Sequence, residues 1–272
     1  MHSIGCVSYL NSKPLIDPVL GRADVRVHFA VPAKLIDLLE AGTVSTALMS
    51  VVDYQRSRAD VVLLPAGMIG CDGPTLTVRV FSRVPAGRIK VIHGDTDSHT
   101  SVILAQVILR ERFGVMVPVL PLVAREGERA GSPGETETML LIGDKVVTAA
   151  PNAAEYPYQM DLGEEWKQLT GLPFVFAMWM MRRDCVAAEG AAVGRILAEA
   201  RRRGAELTEE LLDRYAGEKG WPRELARKYF TEYLRYEVTA GARRGLGRFF
   251  ELAQGHGLLP RGRAVEFFEI PV

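Results

Sequence analysis

The N-terminal stretch at residues 4–15 constrains the fold more than any other part of this 272-residue sequence. An apolar run opens the stretch, and residues 8–12 then form a polar turn around the start of a helix. Pro14 fits the first turn of that helix, where its missing N–H costs nothing, and Asn11 or Ser12 can cap it. A buried strand that ends in such a turn is typical of α/β proteins and often binds an anionic ligand. An ordinary strand-to-helix connection looks the same, so both interpretations stay open at this point.

Strands and helices alternate along the residues that follow. The apolar periodicity predicts strands at residues 25–30, 45–50 and 61–64, and a helix from Pro32 to Gly42. This β-α-β order predicts a mostly parallel sheet, with ligand-binding loops at the carboxyl ends of its strands. Ser8, Asn11 and Ser50 would then lie on one edge of that sheet.

A second polar turn, at residues 94–101, connects a predicted strand at residues 89–92 to a predicted helix. Ser98 is a good N-cap, and Thr100 and Ser101 occupy the first helical turn, so their hydroxyls and N–H groups face one small volume. No acidic residue lies in that turn, so a carboxylate or phosphate could bind there. The same residues would also be found if they only capped the helix, so ligand binding and simple capping both stay open.

The chain continues with two further predicted strands, at residues 115–122 and 139–144. Between them lies a charged loop at residues 125–135, which we expect to be solvated and without function. The second strand ends at Gly143 and Asp144, which are candidate ligand contacts at the edge of the sheet. Asp144 could instead cap backbone N–H groups.

Two apolar, β-rich stretches, at residues 76–82 and 173–181, divide the chain. We expect the first to leave one lobe and the second to return to it, so that two crossing strands form a hinge beside a cleft. The predicted domains are a first lobe at residues 1–84, a second lobe at residues 85–180, and helices at residues 181–272 that complete the first lobe. This is the α/β, two-lobed plan of type II periplasmic binding proteins. Phe176 could form an apolar wall for a ring in the cleft, although core packing would explain it more simply.

Composition limits the possible partners and compartments. The 33 basic and 33 acidic residues balance, so no net positive field would attract nucleic acid. Cys6, Cys71 and Cys185 are odd in number and far apart, which favours reduced thiols in a cytosolic protein. The N-terminus lacks the features of a signal peptide, and no uncharged apolar run reaches the roughly 18 residues of a membrane span. We therefore expect a soluble, cytoplasmic protein without a membrane partner.

Four segments resemble the family of the menaquinone-biosynthesis protein MqnA, the chorismate dehydratase of the futalosine pathway. They are Val-Ser-Tyr-Leu-Asn at residues 7–11, Asp-Ser-His-Thr-Ser at 97–101, Leu-Ile-Gly-Asp at 141–144, and the run at 161–179 that ends in Phe-Ala-Met-Trp. They occur in the family's order and spacing over nearly the whole chain. The chain departs from the family pattern at two places, since residues 50–53 lack the usual proline and glutamate and His99 stands where arginine is common.

This resemblance implies a lyase that removes water from chorismate to give 3-[(1-carboxyvinyl)oxy]benzoate for menaquinone biosynthesis, without a cofactor or metal. We expect Asn11 to orient the leaving hydroxyl or to form a hydrogen bond to the developing charge, with Ser8 beside it. The helix start at Ser98, Thr100 and Ser101 is expected to bind a carboxylate. The other expected substrate contacts are Tyr9, Ser50, Gly143, Asp144 and Phe176. Because no protein base is evident, the substrate's own enolpyruvyl carboxylate is the hypothetical proton acceptor.

Two other classes of protein share parts of this pattern. A non-catalytic cytosolic sensor of a small anion fits the two-lobed plan equally well, because a fold does not determine a function. Turnover of chorismate, as opposed to binding alone, would separate the two. A metal enzyme is disfavoured, because His93, Asp95, Asp97 and His99 lie in a helix-capping turn without recognisable zinc spacing. The oligomeric state is open between monomer and homodimer.

Overall fold

The computed structural model describes residues 1–123, 136–260 and 262–271, which form two β-sheets covered by helices. The charged loop expected at residues 125–135 lies outside the described residues. The strands are, in chain order, β1 (His2–Cys6), β2 (Val25–Phe29), β3 (Thr46–Ser50), β4 (Val61–Cys71), β5 (Val78–Ser82), β6 (Ile92–Asp95), β7 (Val119–Leu122), β8 (Thr138–Ile142), β9 (Tyr158–Asp161), β10 (Phe174–Arg182) and β11 (Leu234–Arg235).

Both sheets are mixed. The first has the order β11-β4-β10-β3-β1-β2, and β1 pairs in parallel with β2 and β3, as the β-α-β pattern predicts. β10 enters between β3 and β4 and runs antiparallel to both. The second sheet has the order β7-β6-β8-β5-β9, in which β6 is parallel to its neighbours and β5 antiparallel. The parallel part of each sheet leads into the turns that the sequence marks as candidate sites.

The chain crosses between the sheets twice, at residues 72–77 and at residues 171–173. We call the first sheet and the helices packed on it the first lobe, and the second sheet with its helices the second lobe. The predicted crossing strands, β5 and β10, begin directly after the crossings, and each pairs within one sheet. Both are apolar because each lies between two neighbouring strands. The crossings therefore lie several residues before the boundaries predicted at residues 84 and 180.

The helices range from three to sixteen residues in length. They are α1 (Lys13–Ile16), α2 (Pro32–Glu40), α3 (Val51–Arg56), α4 (Thr100–Phe113), α5 (Lys145–Thr148), α6 (Leu162–Thr170), α7 (Arg183–Cys185), α8 (Ala191–Glu206), α9 (Thr208–Tyr215), α10 (Arg223–Lys228) and α11 (Ala240–Gly255), with π-helical turns at Val186–Gly190 and Tyr229–Tyr233. α2 begins at Pro32, as the sequence predicts. Across the described ranges, no helix is both long and apolar enough to cross a membrane.

Two predicted strands are displaced in the structure. The strand predicted at residues 115–122 is the shorter β7, because the residues after α4 still cap that helix. Gly114 has a φ of 65°, and the Val115 N–H donates to the carbonyl of Leu109 at 3.1 Å. β6 also begins late, at Ile92, and a 3₁₀ turn at Ala86–Arg88 precedes it in the chain.

The C-terminal helices reach both lobes. α8 packs on β4 and α1 of the first lobe, whereas α11 packs against both β10 and α4. On α11, the Phe249 ring lies 5.0 Å from the Phe174 ring and 6.1 Å from the Trp166 ring, measured between centroids. An aromatic cluster therefore supports the second crossing between the lobes.

Candidate functional site

A cleft with about 620 Å³ of empty space, its open mouth included, lies between the two lobes. The first lobe contributes the turn after β1 and the end of β3, and the second lobe contributes the turns after β6 and β8. Ile69, Ile142 and Phe176 form apolar parts of the wall. Asp97 is the one charged side chain among the cleft-lining residues in the described part of the chain.

Eight of the ten residues predicted for the site line this cleft. They are Tyr9, Asn11, Ser50, Ser98, Thr100, Ser101, Gly143 and Phe176. Gly143 has a φ of 66°, a left-handed conformation that lets the chain turn from β8 into α5 against the ring of Tyr9. The topology thus brings together residues from both lobes, and the role of each one stays a prediction.

The other two predicted residues, Ser8 and Asp144, are not among the residues that line the cleft. Ser8 is exposed, because it lies in an extended segment between two residues that face the cleft, and successive side chains there point to opposite sides. Asp144 is buried, and its carboxylate accepts hydrogen bonds from the Leu10 N–H at 3.2 Å and from Trp221 Nε1 at 3.1 Å. It ties the turn after β1 to the second lobe, which agrees with the alternative that it binds a backbone N–H.

The N-terminus of α4 faces the cleft with no acidic residue in its first turn. Ser98 Oγ accepts a hydrogen bond from the Ser101 N–H at 3.2 Å, so Ser98 does serve the helix itself. Thr100 Oγ1 donates to the carbonyl of Phe176 at 3.1 Å and accepts from the Val52 N–H at 3.4 Å, which joins α4 to the first lobe. The hydroxyls of Ser98 and Thr100 and the N–H of Ser101 are thus partly engaged within the protein.

Asp97 belongs to an ion cluster with Asp95 and the buried Lys145. Lys145 Nζ lies 2.6 Å from Asp95 Oδ2 and 3.0 Å from Asp97 Oδ2, and the Lys145 side chain is only 1% exposed. Burial raises the pKa of Asp95, and the nearby Lys145 ammonium opposes that shift. Tyr9 OH also donates to Asp97 Oδ2, at 3.1 Å. No sequence pattern indicated this cluster, because Lys145 lies far along the chain from the turn that contains the two aspartates.

Asn11 presents an unusual group to the cleft. Its Oδ1 atom is buried and has no hydrogen-bond partner. The Tyr236 hydroxyl donates to the Asn11 backbone carbonyl at 3.0 Å. Nearby, the Tyr229 hydroxyl lies 2.5 Å from Thr77 Oγ1. Burial raises the pKa of Tyr229. Thr77 and Tyr229 also line the cleft, and sequence patterns did not indicate either of them.

A histidine–aspartate pair joins the lobes beside the cleft. His99 Nδ1, at the start of α4, lies 2.6 Å from Asp53 Oδ1 on α3. The Asp53 side chain is 1% exposed, and its Oδ2 has no hydrogen-bond partner. His99 and Asp53 lie in the two segments at which the chain departs from the family pattern, and the structure shows that these segments contact each other.

A second, more open depression lies on the surface of the first lobe, lined mainly by charged residues. Its arginines already pair with neighbouring carboxylates, as in Arg58–Glu40 and Arg183–Asp60. Within residues 1–123, 136–260 and 262–271, no three His, Cys, Asp or Glu residues are grouped so that they could hold a metal ion. The interlobe cleft is therefore the candidate site.

Comparison with known proteins gives the family. Residues 2–255 match the protein family described as menaquinone biosynthesis. The chain belongs to this family. It is also 30% identical over 262 residues to the chorismate dehydratase of Thermus thermophilus, with 91% of this chain and 93% of that protein covered. The resemblance noted in the four sequence segments is confirmed.

Solved structures confirm the predicted fold. The chain is similar to the alkanesulfonate-binding protein of Xanthomonas axonopodis pv. citri bound to MOPS, with a TM-score of 0.69, 14% identity and 98% of each chain covered. It is also similar to a Candida albicans protein with the generic periplasmic binding protein fold, with a TM-score of 0.64, 10% identity, and 97% of this chain and 92% of that one covered. At these identities the likeness concerns the fold alone. The protein has a periplasmic-binding-protein-like fold.

Proposed function

We propose that this protein is a chorismate dehydratase, a lyase that converts chorismate to 3-[(1-carboxyvinyl)oxy]benzoate for menaquinone biosynthesis. The observation that carries the proposal is the Asn11 amide oxygen, which is buried in the interlobe cleft without a partner. The named relative from Thermus thermophilus supports the choice of reaction. We place the reaction in the cytosol, where the free thiols of Cys6, Cys71 and Cys185 would stay reduced.

The chemistry makes modest demands on the protein. The proton leaves C3 of chorismate, the electron pair of the C3–H bond forms the new C3–C4 double bond, and the C4 hydroxyl departs with a proton as water. The ring becomes aromatic, which is a large thermodynamic gain, and the C1 carboxylate acidifies the C3 proton through the adjacent double bond. The site must therefore hold two carboxylates, fix the ring, and position one hydroxyl and one proton acceptor.

The cleft offers groups for each of these tasks. The N-terminus of α4 would bind one carboxylate through its backbone N–H groups, with Ser101 beside it. Ile142 and Phe176 would contact the ring. Asn11 Oδ1 would accept a hydrogen bond from the C4 hydroxyl of the substrate. This bond would fix the orientation of that hydroxyl. The position of each group in the cleft supports its proposed role.

The proposed proton acceptor is the enolpyruvyl carboxylate of the substrate itself. Asp97 is a protein carboxylate in the cleft, but its Oδ2 already accepts hydrogen bonds from Lys145 at 3.0 Å and from Tyr9 at 3.1 Å. An intramolecular acceptor needs no separate positioning by the protein, which is a large advantage in a small cleft. Turnover of a chorismate analogue that lacks this carboxylate would contradict the proposal.

The alternative is a non-catalytic module that binds a small anion. The similarity in fold to the alkanesulfonate-binding protein and the position of the α4 N-terminus in the cleft favour this second candidate. Binding of a small anion alone does not explain the unpartnered amide oxygen of Asn11, because this oxygen accepts a hydrogen bond and an anion has no hydrogen to donate.

The deciding experiment mixes purified, EDTA-treated protein with chorismate and follows the ultraviolet spectrum and the product mass. Heat-denatured protein serves as the control for spontaneous decay of chorismate. Loss of one water to an aromatic product supports the dehydratase. Saturable binding without turnover would favour the anion-binding module, and the absence of both would overturn the two candidates.

A further inference from the structure

The turn that carries Asn11 is held by a residue of the opposite lobe. This turn is a short 3₁₀ helix that begins at Leu10, and the first N–H groups of a helical turn have no partner inside it. The N–H of Leu10 donates to Asp144 Oδ2, at 3.2 Å. Ser12, the last residue of the turn, donates its hydroxyl back to the carbonyl of Tyr9 at 2.9 Å. The group that caps the start of this turn therefore comes from the second lobe.

Asp144 is placed for this contact by its own lobe. It occupies the N-cap position of α5, where its carbonyl accepts hydrogen bonds from the N–H groups of Val147 at 3.0 Å and Thr148 at 2.9 Å. The preceding Gly143 donates its N–H to the carbonyl of Thr77 at 2.9 Å. The backbone around Asp144 is thus fixed on both sides, while its buried carboxylate points to the first lobe.

A second donor of the first lobe reaches the same carboxylate. Trp221 Nε1 donates to Asp144 Oδ1 at 3.1 Å, so each carboxylate oxygen accepts from a different N–H group. Trp221 is buried in the core of the first lobe, and its ring stacks on Tyr229 with centroids 4.9 Å apart. Hydrogen bonds to an ionised carboxylate are roughly twice as strong as those between neutral groups. The side chain of Asp144 therefore connects the turn to the packed core of the first lobe.

The two turns also pack against each other. The ring of Tyr9 lies against Gly143, where an added Cβ would stand 3.6 Å from the ring carbons. The hydroxyl of Tyr9 donates to Asp97 Oδ2 of the second lobe at 3.1 Å. Tyr9, Asn11 and Gly143 all line the cleft. The wall of the cleft at this point thus consists of residues whose positions depend on the contact between the turns.

We propose that Asp144 is a positioning residue, which holds the turn after β1 so that Asn11 faces the substrate. It acts through the N–H of Leu10, the residue next to Asn11, and it is not among the described residues that line the cleft. Because Asp144 belongs to the second lobe, separation of the lobes would break this hydrogen bond. Asn11 is therefore placed for the reaction only when the lobes lie together. The inference rests on the proposed dehydratase function and adds to it a residue that acts through the backbone of the turn.

The test is Asp144→Asn, which keeps the size of the side chain and replaces one acceptor oxygen by an NH2 donor. Leu10 N–H and Trp221 Nε1–H are both donors, so in either orientation the NH2 group meets another donor. We expect kcat for chorismate dehydration to fall about tenfold, because the turn with Asn11 is displaced. KM should stay within about threefold, because the N-terminus of α4 still binds the carboxylate.

The matched control is Asp17→Asn. The carboxylate of Asp17 is buried and accepts a hydrogen bond from Arg214 at 2.8 Å, and neither residue is among those that line the cleft in the described ranges. This substitution also turns a buried acceptor into a donor, but outside the cleft. It should leave kcat and KM unchanged, even where it lowers the stability of the protein.

A second substitution separates positioning from a general loss of structure. In Asp144→Asn/Trp221→Phe the competing indole donor is gone, so the amide oxygen can accept from the Leu10 N–H while the phenyl ring still stacks on Tyr229. The double variant should recover kcat to within about threefold of Trp221→Phe alone. A merely structural role of Asp144 predicts no recovery, because a second buried substitution adds to the loss. Multiplicative losses in kcat would overturn the inference, as would an unchanged kcat in Asp144→Asn.

A further variant keeps the test decisive if Asp144→Asn does not fold, as judged by circular dichroism. Asp144→Ala removes the hydrogen bonds to the first lobe without adding a donor, and the same fall in kcat is expected; a kcat equal to that of the wild type would refute the positioning role. Wild-type protein that does not dehydrate chorismate would overturn the proposed function and this inference together. Active wild-type protein with unaffected Asp144 variants would overturn the inference alone.

Discussion

Asn11 has the most specific chemical environment of the single residues in the cleft. Its amide oxygen is buried and unpartnered, while its backbone carbonyl accepts a hydrogen bond from Tyr236 at 3.0 Å. Leaving a buried polar atom without a partner costs about 1–3 kcal/mol, and because this oxygen faces the cleft, we expect a hydroxyl of the ligand to become its partner.

Replacing Asn11 therefore tests the site at the residue scale. We expect Asn11→Ala to lower kcat by about tenfold or more, because one positioned polar group is lost from the reacting centre. Stability should change little or increase, since the unsatisfied oxygen is removed. Steady-state kinetics with thermal melting measures both quantities. Asn152→Ala, at an exposed turn of the second lobe, is the matched control, and an unchanged kcat in Asn11→Ala would rule out the role.

Single residues were predictable from the sequence where the local chain decides their position. Ser98 and Thr100 follow from the helix start that contains them, and both line the cleft. Asp144 was ambiguous, because a carboxylate after a strand can face a ligand or a backbone N–H, and only the fold brings Leu10 to it. Thr77 and Tyr229 had no local pattern at all, since each depends on a partner far away in the sequence.

At the scale of elements, the turn after β6 and the start of α5 act as one unit in the second lobe. Lys145, at the first position of α5, bridges the two aspartates of the turn, and its Nζ lies 2.6 Å from Asp95 Oδ2. A buried ion pair adds little net stability when complete, but removing one partner leaves an uncompensated buried charge.

We expect Lys145→Met to destabilise the protein by about 3–5 kcal/mol, measured by denaturant unfolding at neutral pH. This loss in the free energy of unfolding should become smaller as the pH falls. Burial already raises the pKa of Asp95, and without the ammonium this carboxyl would take up a proton more readily in the folded state than in the unfolded state.

The matched control is Lys167→Met, which removes the exposed pair between Lys167 and Asp72 and should cost less than about 1 kcal/mol. Equal losses in the two variants would show that the buried cluster has no special structural role.

Elements with local capping signals were predicted well, and strands that depend on their neighbours were not. α2 begins at Pro32, as predicted, and ends at Glu40, two residues before the predicted stop at Gly42, whose φ is 71°. β7 and β6 began later than predicted: Val115 caps α4, and β6 begins only at Ile92. Apolar composition alone cannot separate a residue that pairs in a sheet from one that packs beneath it.

At the scale of the whole molecule, hydrogen bonds join the lobes on both sides of the cleft. Tyr9 donates to Asp97 at 3.1 Å, Leu10 donates to Asp144 at 3.2 Å, and His99 lies 2.6 Å from Asp53. The sequence predicted the two lobes and two crossings from the order of strands. These bridges depend on how the lobes face each other, which no local pattern encodes.

The His99–Asp53 pair should influence the closed arrangement of the lobes and leave the chemistry alone, because neither residue lines the cleft. In His99→Ala, closure would bury the Asp53 carboxylate without a partner, whereas separation of the lobes would let water reach it. Part of the binding free energy of the substrate would then be used to offset the cost of burying the Asp53 carboxylate on closure. We expect KM for chorismate to rise about tenfold, which corresponds to about 1.4 kcal/mol, with kcat nearly unchanged.

Steady-state kinetics and calorimetric titration with the product measure this effect. The matched control is His2→Ala, which removes a histidine–carboxylate contact with Glu189 outside the cleft and should leave KM unchanged. His99→Arg places a cation beside Asp53 and should recover most of the affinity. A lower kcat at constant KM would instead place His99 in the chemical step, and unchanged constants would mean that the pair adds nothing to closure.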